Sequence, residues 1–371
     1  MLAAAAVAGL SETPRVMAAA GALPDALRPF VWSDLLATYV TRGLDGGRLP
    51  YFDVFFEYPP VIGYIAGLFS ALTRSATAYT VAWAVVVVAS SAGIAYLLAR
   101  EAGWGATLRG WVLAPQVLLL SGLNADLLPA ALLLAGAVLA RHRRPVAAGI
   151  ALAFGTAAKL FPAVGAPLLL FGDRRRGPWA IGAFAAMLLA LAVPAIAAPQ
   201  SALGGIVYYA AGYQAGGVAV WGLVAATLGT LGVPEPATLV LVATTIGLAA
   251  TYVLLVLPKA RTSSDPAVGF ALGALSVLLW ARLYSPQFSL WIVPFGALLG
   301  IERTRSFWLL ALADTAVFFT ASPLTLVRWE SADGLPTLLL GTLAVAVVLR
   351  HVALIGLWRA IVRGAKQPRA R

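Results

Sequence analysis

Long apolar runs constrain the fold of this chain more than any other feature. An α-helix needs roughly 20 apolar residues to cross a bilayer. Hydrophobic residues make up 61% of the 371 positions and charged residues only 11%, a composition outside the range of soluble domains. The runs are too continuous for the alternating pattern of a membrane barrel. We therefore predict one all-α polytopic membrane domain over residues 1–371, anchored by the runs Thr77–Ala99, Ala180–Ala198, Ala237–Leu257 and Leu335–Leu349 with its extension.

The basic residues predict how this domain is threaded. The net charge of +11 could indicate a nucleic-acid partner, but the Lys and Arg residues form short clusters between apolar runs. That distribution is the positive-inside pattern, so we expect membrane lipids and no nucleic acid as partners. The absence of cysteine excludes disulfides, thiol catalysis and cysteine-based metal sites. The clusters assigned to the cytoplasm are Arg100–Arg109, Arg141–Arg144, Arg174–Arg176, Lys259 with Arg261, Arg303 with Arg305, and the basic tail 359–371.

This threading predicts a bundle of roughly ten to twelve transmembrane or partly spanning helices. Several predicted runs are too short to cross alone, which suits helices that stop partway and surround a cavity. These runs are Gly110–Gly122, Asp126–Ala140, Val146–Ala158, Phe161–Phe171 and Ala267–Ala281. The segment Pro199–Pro236 is placed on the outer side, and Arg15 and Arg350 are assigned to neither side. Four polar interruptions then fall on the outer side, together with the large loop 24–76 that precedes the first convincing span. The sequence thus predicts an outward-facing site, most simply at a bacterial plasma membrane. The interruptions are Asn124–Asp126, Lys159–Pro162, Arg282–Gln287 and Arg328–Glu330.

The first outer loop holds four of the 15 acidic residues between Asp34 and Pro60. Asp34 has two readings: Ser33 or Asp34 caps a short helix, or the Asp34 carboxylate is a general base that accepts a proton from a hydroxyl. Asp45, Asp53 and Glu57 fit solvated loop charges. Tyr58-Pro59-Pro60 is a rigid lead into Val61–Leu72, which we predict to be a helix at the outer interface.

Three cations are candidate phosphate ligands. Lys159, one of three lysines, follows one short apolar run and precedes Phe161-Pro162; it either snorkels to the interface or binds an anion. Arg282 could add a bidentate phosphate contact, while Arg328 could do so or pair with nearby Glu330 and Asp333.

Other patterns narrow the chemistry. Asn124 and Asp126 fit either a hairpin turn or a site lining. The two histidines are far apart in sequence, so no metal site is predicted. Neither glycine-rich phosphate motif occurs, so we predict no nucleotide cofactor.

The N-terminus leaves several interpretations open. The apolar run Leu2–Leu10 is interrupted by Ser11–Arg15 before a second short run, Val16–Leu23. This pattern fits a degraded span, a signal-like segment, or a chain whose start lies further upstream.

Across residues 32–300, these motifs together resemble the GT-C class of membrane glycosyltransferases, and more narrowly the actinobacterial polyprenol-phosphate-mannose-dependent α-mannosyltransferases. The resemblance implies a donor that is a polyprenyl-phosphate sugar, with mannose as the sugar in this group, no further cofactor, and a lipid or glycan hydroxyl as acceptor. It implies that Asp34 is the catalytic base and that Lys159 and Arg282 hold the donor phosphate. The resembling motifs are Asp34 with Tyr39, Gly47–Tyr51, Glu57–Pro60, Asn124–Asp126, Ala158–Pro162, and Ser285–Phe288 with Leu290, Trp291 and Pro294.

From these motifs the residues expected to contact substrates are Tyr39, Tyr51, Glu57, Tyr58, Asn124, Asp126, Ser285 and Gln287. Phe288 occupies a position where relatives often carry histidine. Two other classes remain open from the residues alone: a secondary transporter or lipid flippase with broken helices, and a non-catalytic membrane protein of the same fold. The oligomeric state is left open.

Overall fold

The regular structure is helical throughout the part of the chain that the computed structural model describes, namely residues 1–24, 27, 30–31, 33–172, 176–207, 218–326 and 337–364. One isolated bridge joins Pro50 and Val54 within that part. The helices of the first half are α1 (Leu2–Ala19), α2 (Asp34–Thr41), α3 (Pro60–Leu72), α4 (Ala76–Ala102), α5 (Trp104–Thr107), α6 (Pro115–Leu120), α7 (Leu127–Arg141), α8 (Pro145–Ala158) and α9 (Leu169–Gly172).

The second half continues the helical pattern and closes the bundle. A π-helical turn, Tyr252–Val256, joins two of its helices into one continuous rod. The helices are α10 (Gly177–Ile196), α11 (Ala202–Val207), α12 (Val220–Thr230), α13 (Pro236–Thr251), α14 (Leu257–Thr262), α15 (Pro266–Trp280), α16 (Val293–Leu299), α17 (Arg305–Leu326) and α18 (Thr337–Gly364).

The bundle combines long and short apolar helices, which confirms the predicted all-α polytopic membrane fold. Among the described residues, four helices are long and apolar enough to cross a membrane: Ala76–Ala102, Gly177–Ile196, Pro236–Thr262 and Leu339–Gly364. Shorter apolar helices, such as α7, α8 and α15, fill the space between them. Their buried faces form the main core, in which helices α4, α7, α8, α15 and α16 meet.

Two predicted spans are broken in the structure. The run predicted as a single span from Gly110 to Gly122 consists of two helical pieces, Trp104–Val112 and Pro115–Leu123, bent by 51°. Pro115 explains the break, because its ring removes an amide donor and clashes with a continuing helix. The run Phe161–Phe171 begins as a 3₁₀ turn, Phe161–Gly165, and becomes helical again only at α9.

The polar residues Ser11–Arg15, which interrupt the N-terminal apolar run, do not break the helix. Helix α1 runs through it without a break, with Pro14 inside the helix, and packs against α4 and α6. Ser11, Glu12 and Arg15 are buried, and the Ser11 hydroxyl accepts a hydrogen bond from the Gly122 amide at 3.3 Å. Tertiary packing thus supplies partners for a polar stretch that would end an isolated helix.

The first outer loop forms a small aromatic core of its own. Tyr39 stacks on Tyr79 with ring centroids 4.1 Å apart, and Tyr51 meets Phe56 edge-on. Tyr51 lies against Gly63 in α3, where an added Cβ would come within 2.2 Å of the tyrosine hydroxyl, so only glycine fits there. This packing fixes the loop against α3 and α4 and gives its polar residues defined positions. Residues 25, 26, 28, 29 and 32 of the predicted loop, and residues 365–371 of the predicted tail, lie outside the described part.

Candidate functional site

A cavity of about 760 Å³ opens where the outer loop meets the broken helices. Eight residues that the sequence predicted for the site contribute to its lining: Asp34, Glu57, Tyr58, Asn124, Lys159, Arg282, Ser285 and Gln287. They come from segments up to 250 residues apart in the sequence. The remaining wall is mostly apolar or aromatic and includes Leu160, Phe161, Val164, Val277, Leu283, Phe288 and Trp291.

Asp34 is presented to the cavity from the first turn of α2. Ser33, not Asp34, is the N-cap, because the Ser33 hydroxyl accepts from the Leu36 amide at 3.4 Å. The side-chain amide of Asn124 donates to Asp34 Oδ2 at 2.9 Å and to the Tyr58 hydroxyl at 3.0 Å. The Asn124 carbonyl oxygen in turn accepts from the Ala125 amide at 2.7 Å, which fixes the orientation of the amide. The capping alternative for Asp34 is therefore taken by its neighbour, and a neutral donor holds its carboxylate.

Lys159 reaches the cavity from the end of α8, where the backbone turns extended. Its ammonium donates to Asp126 Oδ1 at 2.7 Å, and the Trp291 indole donates to the same oxygen at 2.7 Å. Asp126 is completely buried, whereas the Lys159 side chain keeps 19% of its surface exposed. Asp126 thus lies behind the cavity wall and holds the lysine in place, instead of lining the cavity.

A stack of aromatic rings lies against the Lys159 ammonium. Lys159 Nζ lies 4.6 Å from the centre of the Phe288 ring and 5.6 Å from that of Trp291. Phe288 stacks on Trp291 at 4.3 Å, and Trp291 stacks on Phe161 at 3.8 Å. Because ring faces attract cations, Phe288 stabilises the lysine head group at the position where a histidine was expected from the resemblance.

Arg282, Ser285 and Gln287 belong to the irregular segment between α15 and the 3₁₀ turn Pro286–Trp291. Burial lowers the pKa of the Arg282 guanidinium below its ordinary value. A charge partly withdrawn from water also binds an anion more strongly than the same charge in bulk solvent. This segment therefore brings a second cation to the cavity beside Lys159.

Glu57 pairs with Arg42, a residue that sequence analysis did not select. The Arg42 Nη2 atom lies 3.1 Å from Glu57 Oε2, and its guanidinium lies over the Phe55 ring. Helical spacing could have identified Arg42, because Asp34, Thr38, Thr41 and Arg42 follow that spacing and all line the cavity. The short helix considered after Asp34 would have had to extend to Arg42.

Three of the predicted site residues that the structure describes do not line the cavity. Tyr39 and Tyr51 are buried in the aromatic core of the loop, where the Tyr51 hydroxyl donates to the Tyr58 carbonyl at 2.5 Å. Burial raises the pKa of the Tyr51 hydroxyl, so it remains a donor. Asp126 lies behind the wall, and Arg328 lies outside the described residues. Throughout the described part of the chain, no three acidic or histidine side chains cluster as metal ligands would.

Comparison with models of protein families gives a match. A model of glycosyltransferase family 87 matches residues 55–281, more than half of the chain. The matched range contains Glu57, Asn124, Asp126 and Lys159; Asp34 precedes it, and the Arg282–Gln287 segment follows it. No curated protein matches the chain.

Proposed function

The chain belongs to glycosyltransferase family 87, and from this membership we propose that it moves a sugar from a polyprenyl phosphate to a hydroxyl of a lipid or glycan. That it is an integral membrane glycosyltransferase follows from the family and the helices together. The donor class, the sugar and the acceptor are the proposed part. We take mannose as the sugar, on the resemblance of the loop and helix-break motifs to mannosyltransferases.

One observation carries the proposal: a carboxylate and two cations face the same cavity. Asp34 is held by a neutral amide, while Lys159 and Arg282 approach from two other segments. In the proposed reaction Asp34 takes the proton of the acceptor hydroxyl while the hydroxyl oxygen attacks the anomeric carbon. The bond from that carbon to the phosphate oxygen breaks, and the lipid phosphate leaves with the electron pair. Lys159 and Arg282 stabilise the negative charge that develops on it.

The shape of the cavity supports a lipid-linked donor. Its lining combines charged and polar residues, such as Asp34, Asn124 and Lys159, with apolar side chains such as Val164, Val277 and Leu283. A polyprenyl phosphate likewise combines a charged head with a hydrocarbon chain. An apolar wall would shield the chain from water while the cations bind the head.

The helix directions support an outward-facing cavity. Helix α7 runs from Asp126 at the cavity to Arg141, and α8 returns from Arg144 to Lys159. Both helices therefore have one end at the cavity and the other at a basic cluster. Since basic clusters favour the cytoplasm, we propose that the cavity opens on the outer face of the plasma membrane.

The proposal is tested with the purified full chain in proteoliposomes supplied with a lipid acceptor extract. Labelled polyprenyl-phosphate mannose, polyprenyl-phosphate arabinose and a nucleotide-linked mannose are offered separately, and the lipid product is identified by mass spectrometry. We expect transfer from polyprenyl-phosphate mannose alone. Transfer from the nucleotide sugar would refute the donor class, and transfer from the arabinose donor alone would refute the sugar.

Asp34→Asn tests the role of the base. Loss of a general base lowers a rate by about 10²–10⁴-fold, so kcat should fall by that amount while the donor still binds. Asp45→Asn is the matched control, because Asp45 is an exposed acid of the same loop that does not line the cavity. A normal rate in Asp34→Asn would rule out the proposed mechanism.

A further inference from the structure

A buried arginine in the last helix has no place in the reaction described so far. Arg350 lies within α18, a helix of bilayer-crossing length, and only 2% of its surface is exposed. A cation at membrane depth is costly and is retained where it has partners and a task. Arg350 contacts several groups, and one of them, Tyr284, belongs to the segment that forms part of the cavity wall.

The charge of Arg350 is balanced by Asp314 in α17. Their closest atoms, Arg350 Nη1 and Asp314 Oδ1, are 3.9 Å apart, which is beyond hydrogen-bond range. Asp314 is completely buried, and its other oxygen accepts from the Gln116 side chain at 3.3 Å. Within the described residues neither Arg350 Nη1 nor Asp314 Oδ1 has a hydrogen-bond partner. Asp314 is thus a countercharge that leaves the guanidinium to be oriented by other groups.

Backbone carbonyls orient it instead. Arg350 Nη2 donates to the carbonyl of Tyr284 at 3.2 Å and also to that of Val218. The guanidinium carbon lies 3.8 Å from the centre of the Tyr284 ring, and the Tyr284 hydroxyl bonds to Ser289 at 2.8 Å. One side chain therefore clamps both the backbone and the ring of Tyr284.

Tyr284 lies within the irregular segment that supplies the cavity wall. Helix α15 ends before Ala281, and the next turn begins at Pro286, which has no amide to donate. Tyr284 is buried, and a buried backbone carbonyl needs an internal hydrogen-bond partner because water does not reach it. Arg350 supplies that partner in the middle of the segment.

We propose that Arg350 is a positioning residue for the phosphate-binding wall: by clamping Tyr284, it makes Arg282, Ser285 and Gln287 face the cavity. The inference rests on the proposed function for its kinetic consequence, but its structural consequence is independent of the donor. Arg350 itself does not line the cavity, so its effect on transfer passes through Tyr284.

The test separates positioning from a general need for the ion pair. Arg350→Met alone leaves Asp314 uncompensated and should destabilise the protein, but removing both charges of a buried pair is often neutral for stability. In the double variant Arg350→Met/Asp314→Leu we therefore expect a normal Tm. We also expect kcat/KM for polyprenyl-phosphate mannose to fall by about tenfold or more, mostly through KM, because misplacing binding groups by about 1 Å costs that much.

Hydrogen exchange provides a readout that does not depend on activity. Amides of Leu283, Tyr284 and Ser285 should exchange faster in the double variant, while those of α2 should not change. If the wild type uses another donor, this readout still decides the inference. A double variant with native Tm, native kinetics and native exchange would overturn it.

Two single variants complete the design. Asp314→Asn removes the countercharge but leaves the carbonyl contacts of Arg350, so exchange at Leu283–Ser285 should remain native; acceleration there equal to that in the double variant would assign the effect to the ion pair and overturn the proposal. Arg350→Lys keeps the charge without the flat guanidinium that contacts a carbonyl and a ring together. It should accelerate the same amides, and it decides the question if the double variant does not fold.

Discussion

The carboxylates of Asp34, which contacts the Asn124–Asp126 turn, and of Asp126, which belongs to the turn, lie in opposite surroundings. Asp34 lines the cavity and accepts from the neutral amide of Asn124, whereas Asp126 is fully buried and accepts from the Lys159 ammonium. Asp34 therefore faces the cavity in which a substrate would bind, whereas Lys159 and Trp291 cover Asp126. The difference teaches that proximity to the site does not make an acid a candidate base; access to the cavity does.

The largest effect should follow from breaking the Asp126 side of this comparison. Lys159→Met leaves a buried carboxylate without its cation, and breaking a buried pair costs about 3–5 kcal/mol. It also removes one cation from the proposed phosphate site. We expect a large fall in Tm together with loss of transfer, measured by thermal unfolding in detergent and by the lipid-product assay.

A second substitution separates these two losses. Lys159→Met/Asp126→Asn removes both charges and keeps an oxygen that can accept from Trp291. Most of the Tm should return, but transfer should remain low because the phosphate still lacks a cation. Recovery of both would show that Lys159 acts on stability alone.

A smaller effect should follow on the Asp34 side. Asn124→Ala removes the donor that holds Asp34, and a misplaced catalytic group costs up to about 10²-fold in rate. We expect kcat to fall by about 10–10²-fold, with a stability loss of about 1 kcal/mol from the lost hydrogen bonds. Steady-state kinetics and thermal unfolding measure the two quantities.

Tyr58→Phe is the matched control for that variant. It removes the hydroxyl that shares the Asn124 amide but leaves the contact with Asp34. Tyr58→Phe should lower kcat only a few-fold. In the double variant Asn124→Ala/Tyr58→Phe, the loss of transition-state stabilisation should be smaller than the sum of the two single losses, because the two residues share one hydrogen-bond network. An effect of Tyr58→Phe as large as that of Asn124→Ala would contradict the assignment of Asn124.

The smallest effect should come from a third acid, far from the cavity. At the ends of α4 and α7, Glu101 bonds to His142 at 2.6 Å and to Arg141 at 3.1 Å. These contacts pair Glu101 with one arginine and one histidine, away from the cavity. A partly exposed ion pair contributes about 0–1 kcal/mol, and salt screens it.

Glu101→Gln should lower Tm slightly at low salt, and the difference from wild type should shrink at about 1 M salt, where charges are screened within a few ångström. Transfer at low salt should be unchanged, because the cluster lies at the far end of the helices. A Tm difference that does not shrink in salt would contradict an electrostatic role of Glu101.

Apolar runs and basic clusters predicted much of the fold. They gave the long spans, most boundaries of α4, α7, α8 and α15, and a set of polar breaks. Three of these breaks, Asn124–Asp126, Lys159–Pro162 and Arg282–Gln287, contribute to the lining of one cavity. Helix α12 was missed, because it lies in a segment that the threading treated as an outer loop. Hydrophobic periodicity and the positions of charged residues describe single helices. Predictions based on them therefore succeed where a helix faces lipid along its length.

Tertiary partners account for the remaining differences. Arg15 and Arg350 fitted no side of the predicted topology, and both are buried inside the bundle. Asp126 looked like a lining residue, but it lies behind Lys159, because a buried carboxylate needs the cation more than it needs the cavity. A single sequence contains no record of which distant segment supplies such a partner, so these assignments required the structure.

The turn at Asn124–Asp126 sets a limit for anyone who redesigns this enzyme. Asn124 orients the Asp34 carboxylate and Asp126 orients the Lys159 ammonium, so the positions of both groups depend on the same three residues. Inserting a single residue there would put both groups out of register at once. Substitutions that keep the length of the turn can instead change one group at a time, through Asn124 for the acid or through Asp126 for the cation.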